Sequence, residues 1–545
     1  MVATTHRAAS SAAYDILQQG GNATDALVTA QLVLNVVEPQ SSGIGGGAFT
    51  LYWDNQNKRL TSIDGRETAP LSATERYFLR KDGTPMTWWE ARVGGLSVGV
   101  PGTLKMIEYL HQKHGKLPWH ICVKPAIELA KNGFMMSRDL ENSLLASWNR
   151  SRLIDNAQAK RLFFDPQGNP KKQGTIIKNI EFANTLEQIA QEGSRPFYIG
   201  NLANQMINTI QQSPNNPGIM TYVDFASYKV RERPAVCITY RDYNICGMGS
   251  PSSGGLTVAQ ILGLMDRAYK KHLSDEAGLW HHYIEASKLA YADRNRYMAD
   301  TDYVPAPDLL NASYLEDRAK LIDHTMAFDG RRAAGNPPKK LAVYGENHHE
   351  EMPSTTHISI IDSEGNIVST TSTIESGFGS YLMAPGGYLL NNELTDFSLV
   401  PNDSDGQPIA NRVQGGKRPR SSMSPTIIFD KSGNPVWVLG SPGGFRIIGY
   451  VANNIVKMID LGMDPQQSIN SAHIVNSNHE NTEIELGFCH KDLIEKLESM
   501  GHKVKVKSLW SGLTSIQLKN KDDGPVLVGG VDARRGGESS VATDF

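Results

Sequence analysis

The sequence predicts a mixed α and β fold, and three observations point there. The chain opens with two runs at helical spacing that lead through a glycine cluster into a strand. Its middle reads as mostly helical, with long polar connections and few strands. Its last third changes to β-rich runs separated by hairpin-type turns.

His6 to Gln19 carries Ala12, Ile16 and Leu17 at helical spacing and stops at Gly20-Gly21, a helix-ending signal. Asn22 is a good cap for a second helix running through Val37. Ser41-Ser42-Gly43-Ile44-Gly45-Gly46-Gly47-Ala48 follows, then a strand from Phe49 to Trp53. Gly43, Gly45 and Ala48 fall at dinucleotide-fingerprint spacing, but that motif needs strand, glycines, then helix. Here the order is helix, glycines, strand, so the nucleotide reading is rejected.

Leu104 to Tyr344 reads as mostly helical. Gly345 to Ser354 is polar and reads as an exposed connector. His348 and His349 within it read as solvated loop residues rather than metal ligands. Thr356 to Asp362 and Ile367 to Thr373 then flank Ser363-Glu364-Gly365-Asn366, which is hairpin chemistry. A second β pair, Ser424 to Phe429 and Val436 to Leu439, precedes helical spacing from Arg446 to Leu461.

Composition sets limits. A chain of 545 residues with 40% hydrophobic and 20% charged residues is an ordinary globular protein. A net charge of −3 gives no electrostatic reason to expect nucleic acid or an anionic membrane as partner. The short basic stretch Arg412 to Arg420 reads as a solvated loop. No apolar run approaches the ~20 residues of a membrane helix, and no signal peptide is visible. Cys122, Cys237, Cys246 and Cys489 are too few and too scattered for a disulfide framework. Cys237 and Cys246 flank a short turn; pairing across a hairpin and buried free thiols both fit. None lies in a zinc pattern.

Three constellations carry chemistry. If the hairpin turn centres near Glu364, residues whose numbers sum to about 728 lie opposite one another. Thr355 and Thr373 satisfy this, so one hydroxyl can orient the other. The strand Val436 to Leu439 runs into Gly440-Ser441-Pro442-Gly443-Gly444 before a helix. Glycines at such a junction leave N–H groups free for a developing oxyanion. Third, Glu393 and Asp396, Ser421 and Ser422, and Arg66 supply the parts of an amino-acid clamp: carboxylates for an ammonium, arginine and hydroxyls for a carboxylate.

Taken together, the residues resemble the γ-glutamyltranspeptidase family across nearly the whole chain. The resemblance rests on Gly20 to Ala26, Ser42 to Gly47, Arg66-Glu67-Thr68-Ala69-Pro70 and Pro101-Gly102-Thr103. It continues through Thr355-Thr356-His357, Asn391 to Phe397, Lys417 to Pro425 and Gly440 to Gly444. It implies an N-terminal-nucleophile fold, a four-layer αββα sandwich. It also implies a precursor that cuts itself between Ser354 and Thr355, leaving residues 1–354 as large subunit and 355–545 as small subunit in one shared core.

Thr355 is then the nucleophile, with its freed α-amine as base. By the resemblance Thr373 orients its hydroxyl, and Gly443 and Gly444 supply the oxyanion donors. Arg66, Ser421 and Ser422 hold the α-carboxylate of the γ-glutamyl group, and Glu375, Glu393 and Asp396 face its ammonium. Glutathione and related γ-glutamyl amides are the implied donors. Water, amino acids and peptides are the acceptors, and no cofactor or metal is implied. Relatives are often exported, which implies a periplasmic or secreted protein. Two departures stand out. Glu375 replaces an Asn common in the family, and Leu399 to Gly416, the family's lid, lacks an aromatic residue, which favours hydrolysis over transfer. The rivals are a glutaryl or cephalosporin acylase of the same superfamily and a non-catalytic amino-acid-binding relative.

Overall fold

Strands buried on both faces build two antiparallel sheets that pack face to face. The computed structural model describes all residues except 270–274, 340–341, 348–353, 488–490, 522–523, 536–537 and 544–545. The first sheet runs, in spatial order, Ser540–Ala542, Val2–Thr4, Thr356–Ile361, Ile367–Thr373, Gly47–Asp54, Arg59–Gly65 and Arg231–Arg233. The second runs Gly524–Val531, Thr514–Lys521, Pro435–Gly440, Thr426–Phe429, Tyr243–Gly247 and Val236–Tyr240.

Side chains along a strand point to opposite faces, and in the central strands both faces are buried, against different layers. Ile361, Ile367, Leu51 and Trp53 of the first sheet meet Cys246, Ile427, Val438 and Ile516 of the second in the space between them. Ile358, Ile360 and Val368 face the other way, onto a helical layer that contains Ala23–Val37. Ile245, Ile428 and Leu439 face a second helical layer built from Gly254–Ala268, Glu276–Tyr297 and Ile447–Ile459. The result is the four-layer αββα sandwich.

The first helices form where the sequence places them, at Arg7–Gln18 and Ala23–Val37. Asn22 accepts from the N–H groups of Thr24 at 3.0 Å and Asp25 at 3.1 Å, and Asp25 Oδ2 accepts from Asn22 N at 2.9 Å. This reciprocal cap fixes the start of a helix whose 15 residues are all buried. Such a helix has no solvent face because it lies between the sheet and Arg7–Gln18, Thr103–His114 and Trp119–Asn132.

Two expectations need correction. The stretch Arg412 to Arg420 is no solvated loop: Lys417, Arg418 and Arg420 are buried. Each cation is satisfied internally. Lys417 Nζ donates to the carbonyls of Ala410 at 2.7 Å and Arg412 at 3.1 Å, Arg418 pairs with Asp64, and Arg420 donates to the Arg294 carbonyl at 3.1 Å. The middle of the chain, though largely helical, also supplies two of the six strands of the second sheet, Val236–Tyr240 and Tyr243–Gly247. Cys237 and Cys246 lie opposite each other in that hairpin and form a disulfide. The connector is buried at its described ends, Gly345, Asn347 and Ser354, while His348 and His349 lie outside the described residues.

Candidate active site

The hairpin places the chemistry. Its strands pair Ser372 with Thr356 and Thr371 with His357, the register read from the sequence. One step further, Thr355 Oγ1 donates to Thr373 Oγ1 at 3.1 Å. Thr373 Oγ1 also accepts from Glu375 N at 2.9 Å. The receiving hydroxyl is therefore held at two points, and its partner is oriented by it. Both threonines are buried. The glycine run packs directly behind them: a Cβ on Gly46 would lie 2.0 Å from the Thr373 carbonyl oxygen, so the close approach requires glycine.

The bond before Thr355 is intact, and its surroundings are specialised. Gly443 N donates to the Ser354 carbonyl oxygen at 3.2 Å. Gly443 sits at φ 139°, between the strand Pro435–Gly440 and the helical turn Gly444–Arg446. Thr355 itself has φ 91°, a conformation that is a genuine outlier for a β-branched residue. Strain of this kind costs of order 1–3 kcal/mol and must be held by the surroundings. Arg535 holds it: NH1 donates to the Thr355 carbonyl at 3.1 Å and NH2 to Ser41 Oγ at 2.7 Å. The guanidinium also stacks over Trp510 at 4.3 Å and lies 3.5 Å from Glu38.

The clamp residues converge. Arg66 NH1 pairs with Glu393, and NH2 meets Asp396 Oδ2 at 2.5 Å. Both carboxylates are carried by the helical turn Glu393–Asp396. Arg66 Nε donates to the Pro419 carbonyl at 3.1 Å and NH2 to that of Arg420 at 3.2 Å, which brings in the segment leading to Ser421 and Ser422. Ser422 Oγ accepts from Arg294 NH2 at 2.7 Å. Ser421 Oγ accepts from Met423 N at 3.1 Å. Glu375 Oε2 is bonded by Asn392 Nδ2, next to Glu393 in sequence. Asn391 ties the clamp to the glycine run, donating to the carbonyls of Gly45 at 2.7 Å and Gly99 at 2.9 Å while accepting from Glu393 N at 3.0 Å.

Three carboxylates, of Glu67, Glu393 and Asp396, thus pair with one guanidinium, and Glu375 is held beside them by Asn392. Burial pushes Glu67 up to about 7 against the pull of Arg66. Burial raises Glu393 well above the usual carboxylate range, with Glu67 and Glu375 adding repulsion and Arg66 opposing. Burial and mutual repulsion thus favour the neutral form of both Glu67 and Glu393, and the Arg66 charge opposes this.

The sequence left several residues of this site unnamed. Arg535 has no motif around it that points to Thr355. Glu67 was visible only as the neighbour of Arg66, and Asn391, Asn392 and Arg294 only as polar residues near other motifs. Among the described residues, the one group whose ligand atoms lie within metal-binding distance of one another is Asp25, His111 and Cys122, remote from these residues in the fold.

Comparison with known proteins bears on the family and the fold. The profile of the gamma-glutamyltranspeptidase family matches residues 9–542. The glutathione hydrolase proenzyme of Bacillus subtilis (strain 168) is 37% identical over 92% of this chain and 85% of its own length. That of Escherichia coli (strain K12) is 36% identical over 95% of this chain and 88% of its own. Among solved structures, a cephalosporin acylase from Bacillus halodurans superposes with a TM-score of 0.86 at 26% identity, covering 99% of this chain and 95% of that one. The γ-glutamyltranspeptidase of Helicobacter pylori is 35% identical with a TM-score of 0.55, covering 58% of this chain and 90% of that one. This chain belongs to the γ-glutamyltranspeptidase family.

Proposed function

We propose that the chain is a precursor that cuts itself between Ser354 and Thr355 and then works as a glutathione hydrolase and γ-glutamyltransferase. The observation that carries this reading is the pairing of Thr355 Oγ1 with Thr373 Oγ1 while Gly443 N–H donates to the carbonyl just before Thr355. Nucleophile and oxyanion donor flank one carbonyl carbon. Attack by the Thr355 hydroxyl on that carbon, with loss of the Thr355 nitrogen, gives an ester. Water then cleaves the ester to a Ser354 carboxylate and a free Thr355 α-amine. The strained φ of Thr355 favours leaving the starting state.

After cleavage, residues 1–354 form the large subunit and 355–545 the small one. The hairpin Thr356–Ile361 and Ile367–Thr373 lies between Val2–Thr4 and Gly47–Asp54 in one sheet, so the two pieces share a core. The new α-amine, with a reference pKa of about 7.7–8.0, accepts the hydroxyl proton. Thr355 Oγ attacks the γ-amide carbon of the donor, Gly443 and Gly444 N–H groups receive the oxyanion, and the proton passes to the leaving amine. Glu375, Glu393 and Asp396 face the donor ammonium; Arg66, Ser421 and Ser422 take its α-carboxylate. Water or an amine then resolves the γ-glutamyl ester. These steps use no metal or organic cofactor.

Glutathione as donor is supported by the names of the Bacillus and Escherichia relatives. The absence of an aromatic residue from Leu399 to Gly416 supports a lean towards hydrolysis. A periplasmic or secreted location is supported by the Cys237–Cys246 disulfide, since such bonds persist in oxidising compartments. Among the described residues no helix is long and apolar enough to cross a membrane.

The likeness to the Bacillus halodurans acylase favours a second reading, an acylase that needs no ammonium on its donor. Initial rates on γ-glutamyl and glutaryl p-nitroanilides separate the two. A preference of at least about tenfold for γ-glutamyl is expected from one charge-assisted contact to the ammonium. Equal rates would overturn the clamp and favour the acylase.

A further inference from the structure

Arg92 follows the short helix Trp88–Ala91 and is 2% exposed, yet no carboxylate pairs with it among the described residues. Its guanidinium lies over the rings of Trp88 at 4.5 Å, Tyr381 at 5.2 Å and Trp89 at 5.4 Å. The guanidinium's one hydrogen bond among the described residues runs from NH2 to Ser376 Oγ at 2.7 Å. Ring faces attract a cation but do not replace an anion, so this charge is kept in the interior at a cost. The hydrogen bond points it at the carboxylate cluster, because Ser376 directly follows Glu375.

The contact continues into the clamp. Ser376 Oγ accepts the guanidinium N–H and donates its own proton to Asn392 Oδ1 at 3.1 Å. Ser376 N donates to the same oxygen at 3.1 Å. Two donors on Oδ1 fix which way the Asn392 amide faces, and Nδ2 is turned to donate to Glu375 Oε2. Glu375 needs such holding. It is buried and sits at φ 73°, and Phe378 and Tyr381 in the same segment lie at φ 65° and φ 62°. Backbone in this region is strained for any residue with a side chain, and it persists only where the surroundings hold it. Arg92 grips the segment 375–381 at both ends, by its bond to Ser376 and by its place over the Tyr381 ring. The Tyr381 hydroxyl is fixed in turn by donating to Asn149 Oδ1 at 2.8 Å.

We infer that Arg92 is a positioning residue for donor selection: through Ser376 and Asn392 it sets the Glu375 carboxylate to receive the α-ammonium of a γ-glutamyl group. Arg92 touches neither the donor nor the reacting atoms. The negative charge that Glu375 brings to the clamp is met by a positive charge at the far end of three hydrogen bonds. A guanidinium suits this place because it lies flat against rings while donating from its edge. Cation and rings come largely from one stretch, Trp88-Trp89-Glu90-Ala91-Arg92, whose spacing stacks Trp88 and Trp89 on the arginine. This inference rests on the proposed γ-glutamyl reading, and the test separates the two.

The test measures kcat and KM for γ-glutamyl p-nitroanilide with fully cleaved enzyme. Arg92→Gln is expected to raise KM about tenfold, the loss of one charge-assisted contact to the ammonium, with kcat within about twofold of wild type. Arg92→Lys keeps the charge and a donor for Ser376 and should restore most of the affinity. Ser376→Ala breaks the same chain of contacts while leaving the rings around Arg92 in place, and should raise KM alike; it carries the test if Arg92→Gln does not fold. Coupling is the readout that packing alone would not give: added to Glu375→Gln, Arg92→Gln should raise KM no further. A KM unchanged in Arg92→Gln or, where that variant does not fold, in Ser376→Ala would overturn the inference. So would effects that multiply in the double variant. A wild type that releases no p-nitroaniline would overturn the proposed function, and this inference with it.

Discussion

Replacing Thr373 by valine tests the orientation of the nucleophile with little change in volume. In the structure its hydroxyl accepts from Thr355 Oγ1 at 3.1 Å and from Glu375 N at 2.9 Å, and lies 3.3 Å from the Glu375 carbonyl. Valine removes all three contacts. Loss of the Thr355 contact alone is worth about 1 kcal/mol, roughly fivefold in rate. A hydroxyl no longer fixed in direction adds to this, since misplacement of about an ångström can cost up to 10²-fold. The expected fall in kcat is therefore about 10- to 100-fold with KM for the donor nearly unchanged. Self-cleavage, which uses the same hydroxyl, slows in step. The stranded N–H of Glu375 costs a further ~1–3 kcal/mol of stability, read as a lower melting temperature. The assay is release of p-nitroaniline from the γ-glutamyl anilide by fully cleaved enzyme, with a gel time course for cleavage. Thr373→Ser keeps the hydroxyl and should recover most of the rate. A valine variant with wild-type kcat would refute the orienting role.

Two further predictions concern pH. Glu67, pushed up to about 7 by burial, is neutral below that value and charged above it, so the clamp becomes more negative as pH rises through 7. KM for an ammonium-bearing donor should fall severalfold between about pH 6 and 8, and Glu67→Gln should flatten that dependence; a pH-independent KM would contradict it. Separately, His282 is pushed down to about 4 and His502 to about 3 by burial, and they bond to His324 and His281 respectively. Their folded pKa values lie below the unfolded value of about 6.5, so only the unfolded chain takes up protons as pH falls below it. Stability should drop from about pH 6.5 downward, by roughly 3 kcal/mol for His282 in full, and level off below the folded pKa. Melting temperatures across pH 4 to 8 read this out, and His502→Gln should make the decline shallower.

Much of the fold was legible because it depends on local patterns. The hairpin from Thr356 to Thr373 is specified by its own turn residues, so even the facing of Thr355 and Thr373 could be counted out. Asn22 announces its helix by a capping box that lies wholly within four residues. The basic stretch was misread because the partners that bury Arg418 and Arg420, Asp64 and the Arg294 carbonyl, lie far away in sequence. The same distance hid Arg535, which reaches Thr355 across 180 residues. The short turn between Cys237 and Cys246 left a hairpin and buried free thiols both open in the sequence. Only the sheet partner Thr426–Phe429 gives it a place. Motif-level chemistry was therefore readable, while the residues that hold the motifs in position were not.

The central claim, that Thr355 becomes the N-terminal nucleophile, is tested most directly by intact-mass and N-terminal sequence measurement on the purified wild type beside Thr355→Ala. The account predicts two wild-type fragments, the smaller beginning at Thr355, with the alanine variant remaining one uncut and inactive chain. A wild type that stays in one piece after prolonged incubation, or an alanine variant that is still cut before residue 355, would contradict it.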